Sequence, residues 1–221
     1  MQALAPISHT SEMGSNINEV IKKLNESKAY KKLFLNAFQD STISTSKILK
    51  ALSQFQLTLV SSNTKYDKVK MGKETFTEQE KNGYQLYKNN CASCHSEPFF
   101  SNYNFENNGL PIDQTLNDMG RYVITQNEND KRKFKVPSLR NLSFTYPYMH
   151  DGRFMTLKEV INHYTSGIEY SETLSLQFNE SIELSSNEKV DLISFLLTLN
   201  DKDFVFNKKH QFKKIADQTK E

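Results

Sequence analysis

Cys91-Ala92-Ser93-Cys94-His95 is the stretch from which the rest of the chain is read. A CxxCH run is the attachment signature of a c-type haem. Two thiolates become thioethers on the porphyrin vinyl groups, and the adjacent imidazole binds iron from the proximal side. One turn of chain brings both sulfurs to neighbouring vinyls and swings the next side chain beneath the metal. These are the only two cysteines in the chain. A zinc knuckle would need a further ligand from His9, His150, His163 or His210, and none stands at finger spacing. A thioredoxin-like redox site would need a βαβ pattern, which is missing. The motif therefore predicts one covalent haem c, with Cys91 and Cys94 as its tethers and His95 as its proximal ligand.

Helical signals flank the motif. Thr77 and Glu80 have capping-box spacing and open a helix to about Asn89 that delivers the chain to Cys91. Gly83 inside it weakens the helix by roughly 1 kcal/mol relative to Ala unless a partner must approach closely. Ser185 and Glu188 form a second box before the stripe Val190, Ile193 and Leu197. A terminal helix pair crossing at Gly83 is the expected core of a cytochrome c domain. Thr156 and Glu159 start a third helix, to Tyr164. Between these helices, residues 101–142 hold many turn formers and little periodicity, as extended segments lining a haem pocket would. Phe134 to Asn141 reads as extended because Pro137 biases Val136 away from helix.

Farther upstream, three amphipathic helices are predicted at 16–26, 29–38 and 45–60, with Leu33, Leu52, Phe55 and Leu59 on their apolar faces. Ser61 to Gly72 is polar and basic and reads as a linker or a domain crossing. The fold class is thus mainly α: a cytochrome c-like haem domain with long irregular loops at 73–203, an incomplete helical domain at 1–72, and a polar tail at 204–221. A mean hydropathy of -0.65 signals a small core, and a large apolar porphyrin supplies volume that side chains need not. With 28 basic and 26 acidic residues, the net charge of +2 makes no case for nucleic acid. No apolar run approaches the length of a membrane helix. Haem attachment is normally completed outside the cytoplasm, so a periplasmic location is expected, yet Met1 to Thr10 has neither a basic nor an apolar signal region. Either an export signal has been lost or the sequence starts inside something longer.

Four stretches carry a family resemblance: CASCHSEP (91–98), FKVPSLRN (134–141), FTYPYMHDGRFMTLKEVINHY (144–164) and FLLTLND (195–201). They resemble the C-terminal haem domain of the bacterial dihaem cytochrome c peroxidase and MauG family. QALAPISHTSEMG (2–14) and the helices after it resemble that family's N-terminal haem domain beyond its own attachment motif. The resemblance implies an oxidoreductase that reduces hydrogen peroxide with electrons from a small donor protein, a cytochrome or cupredoxin, entering through the haem at His95. It places the distal ligand fourteen residues after His150, at Tyr164; typical peroxidases have Met there and MauG-like members Tyr. Met149 and Met155 are the fallback ligands, and His163 a weaker one. The resemblance also implies that Arg140 and His150 meet haem propionates, that the Thr145 and Pro147 carbonyls help hold calcium, and that Gln2, Pro6 and Glu12 lie over the peroxide-reacting haem, with Glu12 as acid/base.

The departures are as informative. There is one CxxCH, and there is no Trp, although the family relays electrons through a Trp between its haems. A truncated member would need a second copy of itself or a separate N-terminal haem domain as partner. Two other functions stay open: a monohaem electron carrier, and a helical interaction protein whose motif is never loaded.

Overall fold

A computed structural model describes residues 3–10 and 12–211. The described residues form two compact units, one running up to Val60 together with 206–211, the other Ser61–Val205.

In the first unit, helix α1 (Ala5–Ser8) is a single turn started by Pro6. Helices α2 (Ile17–Glu26), α3 (Lys28–Phe38) and α4 (Thr45–Thr58) follow, close to the sequence expectation. Each begins where a small polar side chain takes over an orphan backbone donor. Asn16 accepts from the amides of Asn18 and Glu19, Ser27 from Tyr30 and Ser44 from Lys47. Phe34, Ile43 and Ile48 are buried, and Ile17, Val20, Ile21, Leu24, Tyr30 and Phe38 pack against them.

The second unit opens with helix α5 (Lys65–Lys70), where a linker was expected. The signal is a capping box of the rarer form: Thr64 accepts from the Asp67 amide and Asp67 reaches back to Thr64. An Asp at this third helical position in place of Glu hid the box from a search for Glu or Gln. Far from being solvated, Tyr66 is buried in the main core.

Helices α6 (Glu78–Asn90) and α9 (Ser186–Leu197) begin at the two expected capping boxes. Their crossing is fixed by Gly83. A Cβ built there would sit 2.0 Å from the Asp191 carbonyl oxygen and 2.9 Å from Phe195 Cβ. No side chain but hydrogen fits. Around the crossing, Tyr87, Phe100, Phe195 and Leu199 are wholly buried, and the Tyr84 and Tyr87 rings each lie 5.0 Å from that of Phe195. The aromatic edges and faces meet in tilted geometries that favour ring packing.

The remaining elements are short. The one-turn helix α7 (Tyr122–Thr125) lies in the long loop region, and strand β1 (Phe105–Glu106) pairs antiparallel with β2 (Phe134–Lys135), Phe105 facing Lys135. Helix α8 (Leu157–Asn162) starts at the Thr156–Glu159 box and ends in a wider π turn, His163–Gly167. Helix α10 (Lys202–Val205) closes the unit. The stretch of 101–142 is irregular, as expected, but it is not loose. Asn107 is 1% exposed; its side-chain amide donates to Ser171 and Thr173 at 2.9 Å each and its oxygen accepts from the Gly109 amide at 2.9 Å.

Candidate haem-binding site

The CxxCH segment leaves the end of α6 in a tight turn. The Cys91 amide donates to the Tyr87 carbonyl at 2.8 Å and the His95 amide to the Cys91 carbonyl at 2.9 Å. Tyr87, a turn earlier and fully buried, donates its hydroxyl to the His95 carbonyl. Both cysteines are free thiols. Burial, and then the neighbouring Cys94, push the Cys91 thiol up to about 12; burial also raises Cys94.

Two carbonyls orient the His95 ring. Its Nδ1 lies 3.1 Å from the Phe100 oxygen and 3.1 Å from the Pro137 oxygen. A carbonyl can only accept, so Nδ1 carries the proton and Nε2 keeps its lone pair. Burial lowers the His95 pKa, outweighing the two carbonyls that favour the cation. The imidazole is therefore neutral, oriented and ready to bind a metal, the arrangement that fixes a ligand histidine's tautomer. Two free thiols and one such imidazole are the donor set that haem c requires.

Tyr164 sits in the π turn after α8. Burial raises its pKa; donation from Asn108 opposes this, and the Cys91 and Cys94 sulfurs add to the rise. The Tyr164 ring stacks on Phe178 at 5.6 Å. The Met149 sulfur lies 3.5 Å from the same Asn108 amide nitrogen, whereas Met155 is 57% exposed. His163 is buried, with Nε2 3.0 Å from the Asn108 carbonyl.

Other residues singled out in the sequence fall elsewhere. Arg140 forms a fork with Asp67 at 2.7 and 2.9 Å, and donates to the Pro98 carbonyl at 2.9 and 3.2 Å. Four of its five N–H groups are spent on protein partners, and its guanidinium lies over the Phe100 ring. These contacts join α5 to the segment after the haem motif. His150 stacks on Phe134 at 3.7 Å, on the wall of a small cleft with Asn108, Leu110 and Arg132. Thr145 and Pro147 lie on an exposed turn. Among the described residues, no group of three or more His, Cys, Asp or Glu side chains could hold a metal. Pro6 is in α1, and Glu12 lies on an exposed turn with its carboxylate 4.0 Å from His9 Nδ1. Gln2 lies outside the described residues. Sequence reasoning missed Asn108 and the two carbonyls on His95. Carbonyl partners leave no trace in side-chain identity, and Asn108 read as one more turn former in Asn107-Asn108-Gly109.

No helix among the described residues is long and apolar enough to cross a membrane. The di-haem cytochrome c peroxidase family model matches residues 1–75, and the cytochrome c model residues 80–200. Methylamine utilization protein MauG of Methylophilus methylotrophus is 39% identical over 181 residues, spanning 79% of this chain and 53% of that protein. Cytochrome c551 peroxidase of Nitrosomonas europaea is 34% identical over 164 residues, 72% of this chain and 49% of that one. The chain thus spans about half the length of these relatives. A crystal structure of a MauG-like protein associated with microbial copper homeostasis superimposes with a TM-score of 0.78 at 30% identity, covering 95% of this chain and 71% of that one. The family implies covalently bound haem c, and the thiols and oriented imidazole described above fit that group. The chain belongs to the dihaem cytochrome c peroxidase and MauG family.

Proposed function

We propose that this chain is the electron-entry portion of a periplasmic haem c oxidoreductase that reduces hydrogen peroxide with electrons from a small donor protein. In this reading, the haem domain is the unit Ser61–Val205, which takes in α5, and the residues before it belong to the peroxide-reacting domain. The observation that carries it is the His95 imidazole, held by two carbonyls, in a motif whose two thiols are free. Haem c, when bound, supplies one-electron redox chemistry. The chain's own residues do the rest. Cys91 and Cys94 would tether the group and His95 would bind its iron. Tyr164 would supply a hard oxygen donor, which favours ferric iron. Glu12, on an exposed turn, is the group proposed to move the proton of peroxide. Calcium at the Thr145 and Pro147 carbonyls belongs to the same proposal.

A second reading is a monohaem electron carrier. Its support is the single CxxCH and a distal tyrosine that closes the metal to substrate. Steady-state peroxide turnover by the haem-loaded chain separates the two. Turnover above that of free haem, lost in Glu12→Gln, supports the peroxidase reading. Turnover no higher than free haem, with normal one-electron exchange, leaves the carrier.

A further inference from the structure

One side chain touches two of the candidate distal ligands. Asn108 Nδ2 donates to Tyr164 Oη at 3.3 Å and lies 3.5 Å from Met149 Sδ. The other end of the amide settles which way it faces. Asn108 Oδ1 accepts from the Leu110 backbone N–H at 3.3 Å, which an NH2 group in its place could not do. The Asn108 main chain is pinned as well. Its carbonyl accepts from Nε2 of His163, which is 4% exposed, at 3.0 Å. On the preceding residue, Asn107 ties the loop to Ser171 and Thr173. A carboxamide held at its oxygen and at its own carbonyl is a fixed donor, not a solvated side chain.

The two acceptors it serves are unequal. A thioether sulfur is a weak acceptor, whereas a phenolate oxygen takes a charge-assisted hydrogen bond roughly twice as strong as a neutral one. A fixed N–H donor shared between them therefore favours the anionic oxygen at the metal and gives the sulfur an alternative partner. We infer that Asn108 is a positioning residue that presents Tyr164 to the haem iron and holds the Met149 thioether in reserve. The inference rests on Tyr164 being the distal ligand. It adds that the choice of oxygen over sulfur is made by a residue outside the ligand set.

The test uses the haem-loaded chain and four proteins beside the wild type: Asn108→Ala, Asn108→Asp, Tyr164→Phe and the Asn108→Ala/Tyr164→Phe double variant. The measurements are the midpoint potential and the low-temperature EPR and visible spectra. Removing the donor should weaken the preference of the site for ferric iron about tenfold, an upward shift of about 59 mV for a one-electron couple. Asn108→Asp should shift it further, with growth of a high-spin or thioether-ligated species, because a carboxylate offers an oxygen where an N–H stood. The double variant should match Tyr164→Phe, since Asn108 acts through the tyrosine.

A wild-type potential and spectrum in Asn108→Ala, alongside a changed Tyr164→Phe, overturns this inference and leaves the tyrosine ligand standing. An equal Asn108→Ala shift in the presence and absence of the Tyr164 hydroxyl also overturns it, as a general packing effect. No change in Tyr164→Phe overturns the ligand reading and this inference with it. If Asn108→Asp fails to take up haem, Asn108→Ala and the double variant decide alone.

Discussion

The two compact units begin from equally good local signals and end in different packing. Helices α2, α3 and α4 are capped by Asn16, Ser27 and Ser44 much as α6 and α9 are by Thr77 and Ser185. In the second unit Tyr87, Phe100, Phe195 and Leu199 are 0% exposed. In the first, Phe34 and Ile48 are buried but Leu33, Leu52, Phe55 and Leu59, also read as apolar-face residues, are 39–48% exposed and Leu57 73%; the second unit shares the shortfall at the α9 stripe, where Val190 and Leu197 are 54% and 46% exposed. Capping and periodicity thus specify where a helix is, not whether its apolar face is covered. The second unit holds the larger buried cluster, Tyr66, Tyr87, Phe100, Ile161, Leu192, Phe195, Leu196 and Leu199, against which Cys91 and Ala92 of the haem motif pack.

The comparison can be broken most severely at the motif itself. Cys91→Ser/Cys94→Ser should abolish covalent haem, read as loss of the pyridine haemochrome of denatured protein; covalent haem remaining would exclude these sulfurs as tethers. Next come paired truncations on the two sides. Phe195→Ala should cost about 3–5 kcal/mol in chemical denaturation, while Phe55→Ala should stay near 0.5 kcal/mol. Similar losses at both would erase the contrast between the units. Two glycines sharpen it within the second unit. Gly83→Ala drives a Cβ into backbone 2.0 Å away, whereas Gly72, at φ +70°, has nothing within 4 Å. Thermal denaturation should show about 3 kcal/mol lost at Gly83, against about 1 kcal/mol of backbone strain at Gly72.

The smallest effect is electrostatic. Burial alone would raise the Asp67 pKa, but the Arg140 fork and the Thr64 amide and hydroxyl outweigh it and hold the carboxyl below 3.8. A depressed carboxylate stabilises the fold above its unfolded pKa and loses that contribution as pH falls through the folded value. Arg140→Gln should therefore cost about 2 kcal/mol at pH 7, and the gap to the wild type should close as acid titrates Asp67. A gap that does not change with pH would assign the loss to packing against Phe100 instead.

Much of this was legible in residue order. The three capping boxes, the Gly83 crossing and the extended segment at Pro137 follow from short-range rules, and α6, α8, α9 and β2 stand where those rules put them. Helix α5 was not legible as such, because Thr64-Lys65-Tyr66-Asp67 lies in a basic, polar run and its buried face rests on one tyrosine. The site shows the same division. Cys91, Cys94 and His95 announce themselves by spacing. The carbonyls that orient His95 belong to Phe100 and Pro137, 5 and 42 positions from it, and the amide that meets Tyr164 to Asn108, 13 positions from it; no local pattern marks them. Arg140 shows the same limit: its ion pair with Asp67 on α5 joins residues 73 positions apart, and no local pattern marks it.

The measurement that bears most directly on the account is the low-temperature EPR and visible spectrum of the haem-loaded protein beside Tyr164→Phe. The account predicts a low-spin ferric signal of a histidine and tyrosinate pair that turns high-spin in the variant. A thioether-to-iron charge-transfer band present in both proteins would contradict it and make a methionine the distal ligand.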